Sequence, residues 1–325
     1  MHACIDLGSN SFHLLIGEWE NNKIRILERC SDKVQLGEDV RATGVISEAA
    51  FSRGLESLKH FKTLMSHYPL ESYWALGTNS LRVTENADRF IASAASIGLK
   101  VSVISGVQEA VLIYAGVITS LPEFDGNRLV MDVGGGSTEV IIGKGQQRLL
   151  TESMAIGSVA WRDRFFVDVN IRNESAIADQ MELGLAAAKA VFDGISAGVS
   201  RAGWDEAYAS SGTVKMIANI CEGAGFAPKQ IDYAGLKSLK PTFIQCIKEG
   251  AELPGLKEKR RDLLLAGWCI LMGMMESYSI KSIKYSRTAL REGMLDFMVK
   301  NQKTLDSMTQ SDLPAVSQAA ITEAG

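Results

Sequence analysis

Asp6-Leu-Gly-Ser-Asn-Ser-Phe-His-Leu-Leu-Ile-Gly17 returns in altered form as Asp132-Val-Gly-Gly-Gly-Ser-Thr-Glu-Val-Ile-Ile-Gly143. Asp, Gly, Ser, Ile and Gly keep the same offsets, and each copy runs from an acid through a tight polar turn into an apolar strand. A single such turn reads as a plain hairpin. Two copies imply two related half-domains, expected to present their turns to one shared cleft.

The composition permits this. The 325 residues exceed one typical domain, and 46% apolar against 22% charged residues supplies packed cores rather than a disordered chain. A net charge of −4 argues against a protein that coats nucleic acid through a broad basic surface, while leaving room for a locally positive pocket. Met1-His-Ala-Cys-Ile-Asp6 meets an acid at once, so no secretory signal is read there. The longest apolar run, Leu263 to Met275, is well short of the about 20 residues of a bilayer span and reads as a buried core helix; no membrane association is expected. Five scattered cysteines (Cys4, Cys30, Cys221, Cys246, Cys269) read as reduced, mostly buried thiols of a cytoplasmic protein, with no zinc site. The four histidines form no metal-binding string, so histidine-based metal chemistry is not expected.

Along the chain, Ala3 to Leu7, Phe12 to Gly17 and Ile24 to Arg29 read as a meander, its last two strands joined through Glu20-Asn-Asn22. Ser47 caps a helix whose Phe51, Leu55, Leu58 and Leu64 follow helical spacing. A strand at Tyr73 to Leu76, a loop, a helix from Asn86 to Ser96, a strand at Val101 to Ser105 and a helix from Gln108 to Ile118 follow. Leu121-Pro-Glu-Phe-Asp-Gly126 breaks the pattern. The expected domains are therefore 1–122 and 123–288, with a helix at 289–300 packing back on the first and a frayed tail over 301–325. The second half restarts with a strand at Arg128 to Val133. It continues with helices near Glu174 to Gly198 and Arg261 to Ser279, and strands near Glu206 to Ser210 and Ile280 to Ser286.

The turns suggest chemistry. Gly134, Gly135 and Gly136 free the backbone to curl its N–H groups into one concavity, and Ser137 and Thr138 add hydroxyls, a combination suited to phosphate oxygens. Gly8, Ser9, Asn10 and Ser11 offer the same with fewer glycines. An acid at the strand end before each turn, Asp6 or Asp132, is placed as acids that hold Mg²⁺ beside phosphates are. Were the second turn a hairpin, Glu139 would face the same cation as Asp132. No GxxxxGK[ST] string and no GxGxxG after a strand is present, so a P-loop and a dinucleotide site are excluded.

Glu109, at the start of a helix, reads either as a helix-dipole residue or as a base for attacking water. Arg82, in a polar loop, reads either as an exposed arginine or as a fork on phosphate oxygens. Lys257-Glu-Lys-Arg-Arg261 reads as a solvated helix start or as a grip on the far end of a polyanion.

Five motifs in order resemble the exopolyphosphatase and guanosine pentaphosphate phosphohydrolase family: Ile5 to Ser11, Gly77 to Arg82, Ile104 to Ala110, Asp132 to Glu139, and the pair Ser211-Gly-Thr213 with Leu290-Arg-Glu-Gly293. The resemblance covers residues 3 to about 300. It implies an α/β fold of two ribonuclease-H-like domains around a central cleft, as in the actin, hexokinase and Hsp70 superfamily. It also implies Glu109 as catalytic glutamate and Asp132 and Glu139 as metal-binding acids, while Asp6 stays the weaker metal candidate read from its own turn. Arg82, both turns and Ser211, Gly212 and Thr213 fall on phosphate-binding elements, and Arg260 falls where a basic residue precedes the long helix. Gln108 replaces the first member of a common Glu-Glu pair, and Arg287-Thr-Ala289 departs from the usual form.

The implied activity is hydrolysis of the terminal phosphoanhydride of inorganic polyphosphate, with Mg²⁺ or Mn²⁺ as cofactor. Guanosine pentaphosphate is the alternative substrate, and a homodimer is left open. The C-terminal helical domain of long members has no counterpart here, so lower processivity is expected. A kinase on the same scaffold would need an acceptor pocket and an adenosine site, and an actin-like scaffold would turn over slowly.

Overall fold

The computed structural model describes residues 1–20 and 23–300. The joint read at Asn21 and Asn22 and the tail read over 301–325 lie outside the described residues. The chain forms two compact units, Met1–Pro122 together with the segment beginning at Thr288, and Glu123–Arg287.

The first unit contains β1 (His2–Leu7), β2 (Ser11–Glu20), β3 (Lys23–Lys33), α1 (Val40–Thr43), α2 (Glu48–Met65), β4 (Ser72–Gly77), α3 (Asn79–Val83), α4 (Ala87–Ser96), β5 (Ser102–Val103), α5 (Gly106–Ile118) and, from the far end of the chain, α12 (Leu290–Lys300). Its sheet runs β3-β2-β1-β4-β5. The first three strands form an antiparallel meander, and β4 and β5 join in parallel. Alternation decides the two faces. Ala3, Ile5, Leu7, Phe12, Leu14 and Ile16 point into a core shared with α2 and α4. There Phe12 and Phe51 meet Phe90 edge-to-face at 6.2 and 5.2 Å. Phe12, Phe61 and Phe90 are fully buried, and such burial contributes about 1.5–3 kcal/mol per side chain. Ser47 caps α2 by accepting from the Ala50 N–H.

The opposite face of this sheet is covered by α12 on β1, with α12 also packed along α5. The two helices touch backbone to backbone. A Cβ at Gly116 would lie 1.9 Å from the Ala289 carbonyl oxygen, and one at Gly293 would lie 1.8 Å from that of Leu112. Leu290 and Glu292 of the Leu290-Arg-Glu-Gly293 motif also act structurally. Leu290 is buried, and Glu292 accepts from the Ala289 N–H while pairing with Arg29 at 2.9 Å.

The second unit contains β6 (Arg128–Val133), β7 (Thr138–Lys144), β8 (Gln147–Met154), α6 (Ser158–Phe165), α7 (Glu174–Ala202), β9 (Glu206–Ser210), α8 (Gly212–Gly223), β10 (Gln230–Asp232), α9 (Tyr233–Ser238), α10 (Lys240–Glu249), a 3₁₀ turn (Glu258–Leu263), α11 (Leu264–Ser277) and β11 (Ser282–Tyr285). Its sheet, β8-β7-β6-β9-β11, repeats the strand order of the first, with β10 added antiparallel at the edge. Both units therefore have the ribonuclease-H-like order 3-2-1-4-5, and the sequence repeat is a repeat of topology. Leu129, Met131, Val133, Val140 and Ile142 point into a core with α6, α7, α8 and α11. Leu264 to Met275 is buried throughout, as its unbroken apolar run implies. The length of α7 and its mean hydropathy would suit a bilayer span. Its buried Ile177, Met181, Gly184, Ala188 and Phe192 nonetheless fall at helical spacing on one stripe, the pattern of a helix lying on a core.

Several expectations are corrected. The strand expected at Val101 to Ser105 is only Ser102–Val103, because Ser105 leaves it to cap α5. Arg82 lies on α3 rather than in a loop. The helix expected from Arg261 begins at Leu264, the residues before it forming the 3₁₀ turn. Helices α1, α3, α6, α8, α9 and α10 and strands β8 and β10 have no counterpart in the sequence reading.

Candidate active site

In the first unit, Ser105 and Gln108 form a complete capping box at the start of α5: the Ser105 side chain accepts from the Gln108 N–H, and the Gln108 side chain accepts from the Ser105 N–H. Gln108 is thereby a structural residue. The box fixes Glu109 in the first turn of α5, where it is 8% exposed. Arg82 on α3 reaches it, donating from Nη1 to Glu109 Oε2 at 2.7 Å and to the Ile104 carbonyl at 2.9 Å. Burial pushes the Glu109 carboxyl above its ordinary 4.5, and the charge and hydrogen bond of Arg82 oppose that rise. Neither bland alternative holds for these two residues. Arg82 is not a solvent-exposed arginine, and Glu109 is not a solvated helix-dipole carboxylate.

The turn between β1 and β2 is pinned from outside. Ser80 on α3 donates to Ser9 Oγ at 2.8 Å, the Gly37 N–H donates to the Ser9 carbonyl at 2.8 Å, and the Gln35 N–H to that of Asn10 at 2.9 Å. Ser9 is buried, and the Asn10 side-chain oxygen is buried without a hydrogen-bond partner. At Gly8 a Cβ would sit 3.0 Å from the Ser11 carbonyl and 3.8 Å from Asp6 Oδ1, so the acid lies over the turn. Asp6 is paired across the ladder with His13.

The second unit repeats the turn with different neighbours. Asp132 on β6 stands directly opposite Glu139 on β7, so the two carboxylates share one face of a hairpin. Continuing the same row, Glu139 pairs with Ser153 of β8 and Asp132 with Ser210 of β9. Ser153 donates to Glu139 Oε1 at 2.8 Å, and Ser210 donates to Asp132 Oδ2 at 2.5 Å. The row Ser153–Glu139–Asp132–Ser210 lies on the face turned away from that unit's own core, since Met131, Val133 and Val140 alternate with it. Both serines escaped the sequence reading. The one available signal was that Ser210 ends a strand just before Ser211-Gly-Thr213.

The glycines of this turn also answer a packing constraint that the sequence does not display. Gly134, Gly135 and Gly136 are absent from the positive-φ residues, so the turn does not use the left-handed freedom of glycine. What it needs is space. A Cβ at Gly134 would lie 2.9 Å from the Ser137 carbonyl, and one at Gly157 would lie 2.4 Å from Gly135. The Gly134 and Gly135 carbonyls accept from Ser158, Val159 and Ala160 at the start of α6. Thr138 is also corrected: it is fully buried and its hydroxyl donates to the Ile156 carbonyl at 2.6 Å, which spends its only proton.

Ser211 caps α8, accepting from the Thr213 and Val214 N–H groups at 3.1 Å. It does so at φ 111° and ψ 170°, a region that glycine alone occupies comfortably. Thr213 is buried and donates to Ser158 Oγ at 3.0 Å. The Arg260 guanidinium lies on the backbone of Gly212, where a Cβ would be 2.2 Å from Nη2. Burial pulls the Arg260 pKa down, with Asp262 and Tyr285 acting against it. Replacing Ser211 with Gly relieves about 1–3 kcal/mol of strain and forfeits only a few tenths of capping energy. The expected outcome is a melting temperature raised by roughly 2–4 °C per kcal/mol gained; a lowered one would show that Ser211 is not strained.

The hairpin turns, the buried Glu109–Arg82 pair and the carboxylate row are therefore present, each within its own unit. The Ppx/GppA phosphatase family model matches residues 15–302. A Haemophilus influenzae protein provisionally named an exopolyphosphatase is 35% identical over 314 residues, 94% of this chain and 93% of that one. A guanosine-5'-triphosphate,3'-diphosphate pyrophosphatase of Pseudoalteromonas translucida is 36% identical over 301 residues; the match spans 92% of this chain and 59% of that protein. The crystal structure of an exopolyphosphatase from Cytophaga hutchinsonii is 27% identical, superimposes with a TM-score of 0.82, and is matched over 98% of its length and 92% of this chain. Repeated topology, ordered motifs and these likenesses agree that the chain belongs to the Ppx/GppA phosphatase family.

Proposed function

We propose that the protein is an exopolyphosphatase that hydrolyses the terminal phosphoanhydride of inorganic polyphosphate and releases orthophosphate. The observation that carries this reading is Glu109, a buried carboxylate with a raised pKa, held by one arginine at a helix start in a phosphatase of this family. In the proposed mechanism Glu109 Oε accepts a proton from water as that water attacks the terminal phosphorus. Arg82 keeps Glu109 ionised and oriented. Within their own units, the backbone N–H groups around Gly8–Ser11 and around Gly134–Ser137 are the proposed elements that neutralise phosphate charge. In the second unit, Arg260 is the side-chain cation proposed to take phosphate oxygens. Its guanidinium lies against the backbone of Gly212, beside the start of α8.

Asp132 and Glu139 suit Mg²⁺: two carboxylates opposite one another on a hairpin, each anchored by a serine, form a hard oxygen donor pair. Bound there, the ion would supply charge neutralisation to the phosphoryl oxygens. Asp6 has His13 rather than a second carboxylate as its ladder partner, so within its own unit it is a weaker ligand.

Hydrolysis of the 5′-terminal phosphate of guanosine pentaphosphate is the second reading, favoured by the Pseudoalteromonas relative. Phosphate release from long polyphosphate, tripolyphosphate, guanosine pentaphosphate and ATP, measured side by side without any acceptor, tests both. Polyphosphate is expected to be turned over fastest, and a preference for guanosine pentaphosphate would reverse the order of the readings. A strict need for a hydroxyl acceptor would instead make the protein a kinase.

The pH profile carries its own expectation. As a base Glu109 works only when ionised, and its pKa is raised above 4.5. The acid limb of kcat/KM is therefore expected above the range of an ordinary carboxylate, and Arg82→Met should move it to still higher pH. A limb unmoved by loss of Arg82 would dissociate that pair from the chemistry.

A further inference from the structure

Away from the carboxylate row and the Arg82–Glu109 pair, the first unit gathers a thiol, a carboxylate and an imidazole at its sheet edge. Cys30 and Asp32 are two residues apart on β3, the edge strand, and so project from the same face. That face carries α2, which brings His60 above them. The Cys30 sulfur, an Asp32 oxygen and a His60 ring nitrogen all lie within 4.8 Å of one another. His60 Nδ1 is 3.1 Å from Asp32 Oδ2, and the buried Ser57 hydroxyl donates to that same oxygen at 2.8 Å.

We propose that Cys30, Asp32 and His60 bind one Zn²⁺ ion that ties the edge strand β3 to helix α2. A tetrahedral zinc centre holds its sulfur, nitrogen and oxygen ligands about 3.4–3.6 Å apart, given bonds of about 2.0–2.3 Å. The oxygen–nitrogen spacing of 3.1 Å is already close to that value, and the sulfur is brought in by side-chain rotation. Ser57 supplies the outer hydrogen bond that orients the carboxylate, as ligating carboxylates require. His60 is half exposed, so the ion has an entry path and a fourth position open to water.

The donor set also selects the metal. A thiolate with an imidazole suits Zn²⁺ and is a poor site for Mg²⁺, which demands oxygen ligands. The competing description is an Asp32–His60 ion pair with a nearby thiol. It accounts for the 3.1 Å contact but assigns no role to the Cys30 thiol and its proton, which lie in the same cluster. Coordination would release that proton to solvent and place a dication between thiolate and carboxylate. The absence of any Cys-x-x-Cys or His-x-x-His string hid this cluster from the sequence, because His60 joins it only through the packing of α2.

The test uses the full chain after treatment with a chelator, with Co²⁺ as the probe. One equivalent is expected to give a thiolate-to-cobalt charge-transfer band together with visible bands of a four-coordinate ion. Zn²⁺ should abolish both, and Mg²⁺ should not. The band reports on Cys30, since the other four cysteines are buried. Cys30→Ser should remove the charge-transfer band. His60→Ala, a change at an exposed position, should weaken Co²⁺ binding by about tenfold or more and cancel the rise in melting temperature that Zn²⁺ gives the unaltered protein. No charge-transfer band in the unaltered chain, or a band that survives Cys30→Ser, overturns the proposal.

Discussion

Replacing Glu109 with Gln is expected to lower kcat for phosphate release by about 10²–10⁴-fold, the usual contribution of a positioned general base. The amide keeps the shape of the side chain, and its oxygen still accepts from Arg82, so α5 and α3 stay in place. Stability should hold or rise. A folded-state carboxyl pKa above 4.5 means that the folded chain binds more protons than the unfolded one between 4.5 and the raised value. Stability therefore falls as pH climbs through that window, and at neutral pH the ionised Glu109 is a net cost that Gln removes. A melt paired with a phosphate-release assay reads both effects at once. Undiminished turnover in a folded Glu109→Gln protein takes Glu109 out of the mechanism, whereas a collapsed melt would make it a structural residue.

The largest structural effect is expected at Gly293. Its Ala variant puts a methyl group 1.8 Å from the Leu112 carbonyl oxygen, in backbone that no rotamer change can clear. Helices α5 and α12 must then part, and overpacking of this kind costs roughly 3 kcal/mol or more. In a domain of this size that is a drop of roughly 6–12 °C in melting temperature. Because α5 carries Glu109, activity should decline below the melt as well. Gly194 provides the control: it lies inside α7 with nothing within 4 Å of a built Cβ, and its Ala variant should stabilise the chain by about 0.5–1 kcal/mol. Equal melts for the Gly293 and Gly194 variants would mean that the α5–α12 contact is looser than the backbone distances require.

Much of this was legible in advance, and the particular cases explain why. The helix at Glu48–Met65 could be read from Ser47 and the spacing of Phe51 and Leu58, because capping and period are properties of adjacent residues. The hairpin that sets Asp132 against Glu139 was legible for the same reason, its turn lying wholly between them. By contrast, α8 begins at a serine in a glycine-like conformation, which no propensity indicates. The glycines at 134 and 135 could be read as a turn suited to phosphate, but not as the places where Gly157 and the start of α6 press close. Thr138 looked like a donor to substrate and is spent on Ile156.

The sequence by itself determined the two-fold repeat, the α/β class, the acids at the strand ends and Glu109, since each is written in short-range pattern or in residue identity. Tertiary structure alone decided the partners: Arg82 on Glu109, Ser153 and Ser210 on the carboxylates, Gly116 on Gly293, His60 over Cys30. Each of those pairs is joined by sheet register or helix packing between segments distant in the chain. Local periodicity carries no information about which distant strand or helix will supply the neighbour.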